Sequence, residues 1–304
     1  MTPHDTSATL PGLERQKVIQ AAAILEELGL DAWLTFVRET SVTGDPALEV
    51  ILGKDVTWAS AFLVSSGRSS AIVGNLDGSS VRDAGAFDEV TEYVESIKPD
   101  LLSWLDHVDP KSIAINYSED SEIADGLSHG MYLRLTSYLK GTRFADRLCS
   151  SERLVAALRE RKTPAEIAIM REAIRHTLDI YAEVHAFLRP GQSEIEVARF
   201  MAGRAAERGL EMAWAEEHCP SVFTGPDTAG AHYGPTERLI ERGHVLNMDF
   251  GVRYQGYCSD LQRTFYVLAE GEDATNIPAA VRHGFDTLLE SIRRSFAAIR
   301  PGVP

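Results

Sequence analysis

The chain has 304 residues, enough for two domains with separate cores. Apolar residues make up 44% and charged residues 25%, an ordinary balance for a globular protein. The formal net charge of −15 argues against a phosphate backbone or an anionic membrane as the main partner, and it is compatible with carboxylate-rich cation sites.

Three cysteines, Cys149, Cys219 and Cys258, have no CxxC spacing. Their odd number argues against a disulfide framework or a structural zinc site and fits a reducing cytosol. Met1 to Pro11 is polar and lacks the apolar core of a signal peptide. No run of apolar residues is long enough to suggest a membrane span. The expectation is a cytoplasmic protein that binds neither nucleic acid nor membrane.

From the N-terminus, Leu13 to Leu28 reads as an amphipathic helix closed by Gly29. Asp31 to Phe36 reads as a strand, and Ala59 to Ser65 with Ser70 to Val73 as a strand pair around Gly67. Val90 to Val94 alternates, Leu101 to Asp106 is helical, and Ser112 to Ile115 is a short buried strand. Helices alternating with short strands imply a sheet covered by helices. A boundary is expected near Cys149 to Leu154, giving domains over 1–153 and 154–304. Thr163-Pro164-Ala165-Glu166 then marks a helix start, with a cap, proline at the first helical position and a capping-box glutamate. That helix should run to Leu188. The next begins at Ser193, with Glu196 completing another box, and ends at Gly209. Strands and turns follow to Tyr266, and a last helix covers Pro278 to Ile299. The endings Arg189-Pro190-Gly191 and Arg300-Pro301-Gly302 echo one another, either by chance or as the mark of a repeat.

Val245 to Phe250 and Tyr257 to Val267 read as two strands joined by a glycine-containing turn. A hairpin centred between Tyr254 and Gln255 places Asp249 directly opposite Asp260, with Cβ atoms about 4.5–5.5 Å apart. Like charges so placed destabilise a sheet unless a cation lies between them, and two metals about 3.5–4 Å apart would suit bridging carboxylates. A different register, or pairing of one carboxylate with Arg263, is the alternative.

The runs Asn247-Met248-Asp249-Phe250-Gly251, Gly256-Tyr257-Cys258-Ser259-Asp260 and Arg263-Thr264-Phe265 resemble the signature of the pita-bread metallopeptidase family, which includes aminopeptidase P, prolidase, creatinase and methionine aminopeptidase. Leu158-Arg159 with Lys162 to Ile167 is similar to the opening helix of the catalytic domain in the Xaa-Pro branch. Gly230 to Pro235 resembles the loop with the family's substrate-side histidine. The resemblance implies an α+β fold: a mixed α/β creatinase-type domain followed by a pita-bread domain. It implies that Asp249 binds one metal, that Asp260 bridges two, and that His232 contacts substrate or assists proton transfer. The two divalent ions would be Mn, Co, Zn or Fe. The substrate would be a proline-containing peptide or dipeptide, and a homodimer is common among such relatives.

The family site needs five ligands, and no counterpart of the later histidine and two glutamates follows Phe265. His283 and Glu290 fall in the last helix without the right context. The expectation is therefore a truncated product, a fragment or a chain that needs a partner, inactive as it stands. Of the remaining candidates, Glu216-Glu217-His218-Cys219 reads as a pocket-bordering loop and Gly225-Pro226-Asp227-Thr228 as a turn. His176 and His185 are too far apart on one helix to share a metal. Trp33, Trp58, Trp104 and Trp214 read as core. The alternatives to a metal-dependent Xaa-Pro peptidase are a non-catalytic pita-bread binding module and a creatinase-like amidinohydrolase.

Overall fold

The computed structural model describes residues 12–226 and 234–302. The chain divides into two compact units after Ala165. The first contains α1 (Leu13–Leu28), β1 (Ala32–Val37), α2 (Pro46–Ile51), β2 (Ser60–Ser65), β3 (Arg68–Gly74), α3 (Gly78–Ala84), β4 (Glu89–Tyr93), α4 (Lys98–Val108), β5 (Ile113–Ile115), α5 (His129–Leu139), β6 (Leu148–Ser150) and α6 (Glu152–Glu160). Its strands form one mixed sheet in the order β4-β3-β2-β1-β5-β6. α1 stops at Gly29, whose φ of 66° is open to glycine at little cost.

Helices cover both faces of this sheet, so β1 and β2 are buried along their whole length and show no alternation. On one face Trp33, Phe62 and Val64 pack with Val18 and Leu25 of α1 and Leu154 and Leu158 of α6. On the other, Leu34, Phe36 and Leu63 pack with Leu101 and Leu105 of α4 and Leu135 of α5. The sequence boundary near Cys149 to Leu154 falls at the start of α6, and α6 contributes Leu154, Val155 and Leu158 to the first core. Of the four tryptophans, Trp33 and Trp104 are buried and Trp58 and Trp214 are half-buried.

A buried polar network ties this unit together. Asn116 Oδ1 accepts from Trp33 Nε1 at 2.7 Å and from Ser151 Oγ at 2.7 Å. Its Nδ2 donates to Asp45 Oδ2 at 2.8 Å. The other Asp45 oxygen accepts from Ala47 N at 2.8 Å and caps α2. Burial pushes the Asp45 carboxyl up, against the opposing pull of these hydrogen bonds. Both carboxylate oxygens act as acceptors, which an amide cannot reproduce. Asp45→Asn would set an NH₂ group against Asn116 Nδ2 or Ala47 N. It is expected to cost about 1–3 kcal/mol in urea unfolding, with an unchanged m-value.

The second unit contains α7 (Pro164–Phe187), α8 (Glu194–Glu207), β7 (Glu211–Met212), β8 (Ser221–Thr224), β9 (Val245–Phe250), β10 (Val252–Tyr254), β11 (Tyr257–Cys258), β12 (Leu261–Tyr266) and α9 (Ala279–Ala298). The expected capping box opens α8: Glu196 N donates to Ser193 Oγ at 3.2 Å and Ser193 N donates to Glu196 Oε2 at 2.6 Å. The strands form two small sheets, ordered β11-β10-β7 and β12-β9-β8. β9 is central in its sheet and alternates. Leu246, Met248 and Phe250 enter a core with Ile180, Tyr181 and Val184 of α7 and Val197 and Met201 of α8. Asn247 and Asp249 take the other face. The Arg-Pro-Gly segments after α7 and α9 both end in a glycine of positive φ, 93° at Gly191 and 79° at Gly302. α9 buries none of its described residues, and Phe285, Leu288, Ile292 and Phe296 are exposed along it.

Candidate functional site

The two aspartates lie on the β9 to β12 hairpin, in a register different from the expected one. Gln262 is the residue opposite Asp249, and Leu261 is opposite Phe250. The turn is Gln255-Gly256, with φ of 47° and 82°, flanked by the Tyr254↔Tyr257 pair. Two successive positive-φ residues ending in glycine match the twist of the strands, so the turn centre moves one residue along from the expected position. Asp260 is therefore the diagonal neighbour of Asp249, not its direct partner. Strand alternation keeps both on the face opposite Phe250 and Leu261, with a typical diagonal spacing of about 7–8 Å. Asp249 is half-buried and Asp260 exposed. Arg263 pairs with Met248 and sits 5.6 Å from the Tyr181 ring centroid, so alternation directs it to the other face.

The remaining motif residues hold this pair in place. Gly251 gives room for a crossing: a Cβ there would stand 1.9 Å from the Ser259 carbonyl oxygen and 2.9 Å from Ala213 Cβ. Ser259 is buried, accepts from Val252 N at 2.9 Å through Oγ, and shares a 2.7 Å hydrogen bond with Thr177 of α7. Tyr257 donates to Glu166 Oε1 at 2.9 Å. The Tyr181 hydroxyl lies 3.0 Å from the Met248 oxygen and 2.8 Å from the Leu261 oxygen, its one proton shared between the two strands. Burial, with the Asp249 charge adding to it, pushes the Tyr181 phenol up, which keeps it a donor.

The donor chemistry on this face suits a hard cation in kind. Asn247, two residues before Asp249, gives Nδ2 to Thr264 Oγ1 at 3.3 Å, while its Oδ1 is buried without a hydrogen-bond partner among the described residues. Among those residues, however, no group of three or more His, Cys, Asp or Glu side chains converges. The described residues by themselves make no complete metal site, and no catalytic step follows from them. His232 and Asp227-Thr228 lie outside the described residues. The strand that leads to them is β8, whose Ser221 pairs directly with Asp249.

Other sequence candidates go elsewhere. Glu216, Glu217 and His218 are exposed and Cys219 is buried, donating to the Gly251 oxygen at 3.4 Å. His176 lies 5.5 Å from the Tyr254 ring and His185 6.0 Å from Phe265. His283 is exposed on α9, and Glu290 pairs there with Arg294 at 2.8 Å. Sequence reasoning missed Tyr181, which carries no local signal in a long helix.

This α+β arrangement is found in solved Xaa-Pro peptidases. An Xaa-Pro dipeptidase from Bacillus anthracis superposes with a TM-score of 0.66 at 22% identity, over 95% of this chain and 73% of that one. An X-Pro aminopeptidase from Thermotoga maritima gives 0.66 at 23% identity, over 91% and 72%. In sequence, residues 168–304 match metallopeptidase family M24. "Probable dipeptidase PepE" of Mycobacterium tuberculosis H37Rv is 33% identical over 151 residues, 48% of this chain and 36% of that protein. "Probable Xaa-Pro aminopeptidase PEPP" of Verticillium alfalfae is 32% identical over 142 residues, 47% of this chain and 24% of that protein. The chain thus spans well under half the length of these curated relatives. No helix among the described residues is long and apolar enough to cross a membrane.

Two substitutions test the scaffold. Gly251→Ala drives a methyl group into backbone, and should cost about 3 kcal/mol or more in thermal or urea unfolding. Tyr181→Phe leaves two strand carbonyls without their shared donor and should cost about 1–2 kcal/mol, with faster amide exchange in β9 and β12.

Proposed function

We propose that this chain carries the N-terminal domain and the first acidic metal ligands of a dinuclear-metal Xaa-Pro peptidase, of the aminopeptidase P or prolidase type, which hydrolyses the peptide bond before proline. The observation that supports this most directly is the placement of Asp249 and Asp260 on one face of a hairpin whose other motif residues, Gly251, Tyr257 and Ser259, serve to hold it. In this reading Asp249 binds one divalent ion, Asp260 bridges two, and His232 contacts substrate or assists proton transfer. The ions, Mn, Co, Zn or Fe, supply Lewis-acid polarisation of the scissile carbonyl when bound. A proline-containing peptide or dipeptide is the substrate class, and a cytoplasmic homodimer is the accompanying expectation.

Two carboxylates bind a divalent ion weakly on their own. Calorimetric titration of the 304-residue polypeptide with Mn²⁺ should therefore show fewer than two tightly bound ions. The binding that is seen should be lost in Asp249→Ala and in Asp260→Ala, with no turnover of Xaa-Pro peptides. Two tight ions per chain together with turnover would overturn the partial-site reading. Binding unaffected by either substitution would overturn the assignment of the ligands.

The uncovered apolar stripe of α9 favours a second reading, a non-catalytic module that binds a protein partner. A complex of that kind should survive Asp249→Ala and Asp260→Ala and be lost in Ile292→Asp. The creatinase-like alternative uses no metal, so it gives no reason for two acidic side chains to share this face.

A further inference from the structure

Asn247 lies two residues before Asp249 on β9, and alternation puts both side chains on the face opposite Met248 and Phe250. In an extended strand two such residues stand about 6.5–7 Å apart, close enough for one ion to be held between their side chains. The Asn247 amide is fixed on one side. Its Nδ2 donates to Thr264 Oγ1 at 3.3 Å, across the β9–β12 pair. The amide is planar, so this contact turns Oδ1 away from Thr264. Oδ1 is buried and has no hydrogen-bond partner among the described residues. On the other flank of β9 the residue paired with Asn247 is Phe223, which has no polar side-chain atom to offer.

Strand structure does not account for this amide. Asparagine is a poor strand residue, and in the central strand of its sheet it caps no helix and closes no turn. Buried polar groups are paired almost throughout folded proteins, and an amide oxygen buried alone gives up its hydration without return. Its neighbour along the face, the Asp249 carboxylate, is an acceptor as well, so the two oxygens repel unless positive charge joins them.

The rest of the face narrows the chemistry of the missing partner. Asp260 lies diagonally beyond Asp249, and Arg263, the one arginine of β8, β9 and β12, is directed to the other side. These strands contain no lysine. Two carboxylates and a carbonyl oxygen make an all-oxygen set of the kind that hard divalent ions take, and asparagine carbonyls are ordinary ligands in such sets. The amide adds a donor without adding charge. Among the described residues no three His, Cys, Asp or Glu side chains converge, so a third donor on this face has to come from another residue type.

We propose that Asn247 Oδ1 is a third oxygen ligand for the divalent ion held by Asp249, a metal-site residue additional to the two aspartates. The proposal rests on the metallopeptidase reading above, which supplies the ion; the unpaired oxygen does not depend on it. The test uses the full 304-residue chain and two readouts, Mn²⁺ affinity by calorimetry and the Tm of the metal-free protein. Asn247→Val should weaken Mn²⁺ binding by about tenfold, and Asn247→Asp, which puts a charged oxygen in the same place, should restore it. The metal-free Tm of Asn247→Val should equal or exceed that of the wild type. Valine is a better strand residue, and Thr264 is exposed and can turn to water.

Wild-type affinity in Asn247→Val, with binding still lost in Asp249→Ala, overturns the proposal and leaves the metallopeptidase reading standing. Weaker binding together with a lower metal-free Tm, without recovery in Asn247→Asp, assigns Asn247 to the scaffold and also overturns it. If Asn247→Val fails to fold, Asn247→Ala is read by the same criteria. Absence of Mn²⁺ binding in the wild type, or binding indifferent to Asp249→Ala, overturns the metallopeptidase reading and this ligand with it.

Discussion

The Ser259 carbonyl lies where a side chain on Gly251 would have to be, and the second unit depends on that close approach. At this crossing the hairpin passes from the β9–β12 ladder to the β10–β11 ladder. Any Cβ at Gly251 would push the two strands apart and change the spacing of Asp249 and Asp260 on either side. The crossing is pinned from α7 by two side chains. Thr177 meets the Ser259 hydroxyl, and Tyr181 reaches carbonyl oxygens on both strands. Positions of acidic groups are thereby set by backbone and by neutral hydroxyls.

The motif is therefore divided between chemistry and support. Phe250 anchors β9 in the core, Gly256 makes the turn, Tyr257 ties the hairpin tip to Glu166, and Ser259 ties it to Thr177. Asp249, Asp260, the half-buried Asn247, Gln262 and Thr264 offer oxygen donors from these strands to the polar face. A long motif with few reactive groups is what a precise carboxylate spacing requires, because the spacing has to be built from the residues between.

The first unit is organised on another principle. Its sheet is covered on both faces, and its polar interior, Asn116 with Trp33, Asp45 and Ser151, is satisfied by hydrogen bonds within the unit. That network reads as structural, since its acceptors and donors pair with one another. In the second unit the Asn247 oxygen has no such pairing among the described residues. Orphaned acceptors on a carboxylate face are compatible with a ligand, whereas a closed network is complete without one.

Much of the architecture was legible in the residues alone. The 3.6-residue periodicity and caps marked α1, α7, α8 and α9, and the Ser193–Glu196 box formed as expected. The short helices α2, α3 and α5 and the packing of α6 were not read, because six to eleven residues carry little periodic signal and their partners are distant in sequence. The common face of Asp249 and Asp260 was also available from sequence, since alternation along a strand is a local property. Their diagonal relation was not. Register depends on where the turn centres, and that was decided by backbone conformation at Gln255-Gly256 together with contacts from α7. The same holds for Glu194, an ordinary helix-start glutamate by sequence. Its two oxygens meet residues 30 and 42 positions away only when the chain has folded.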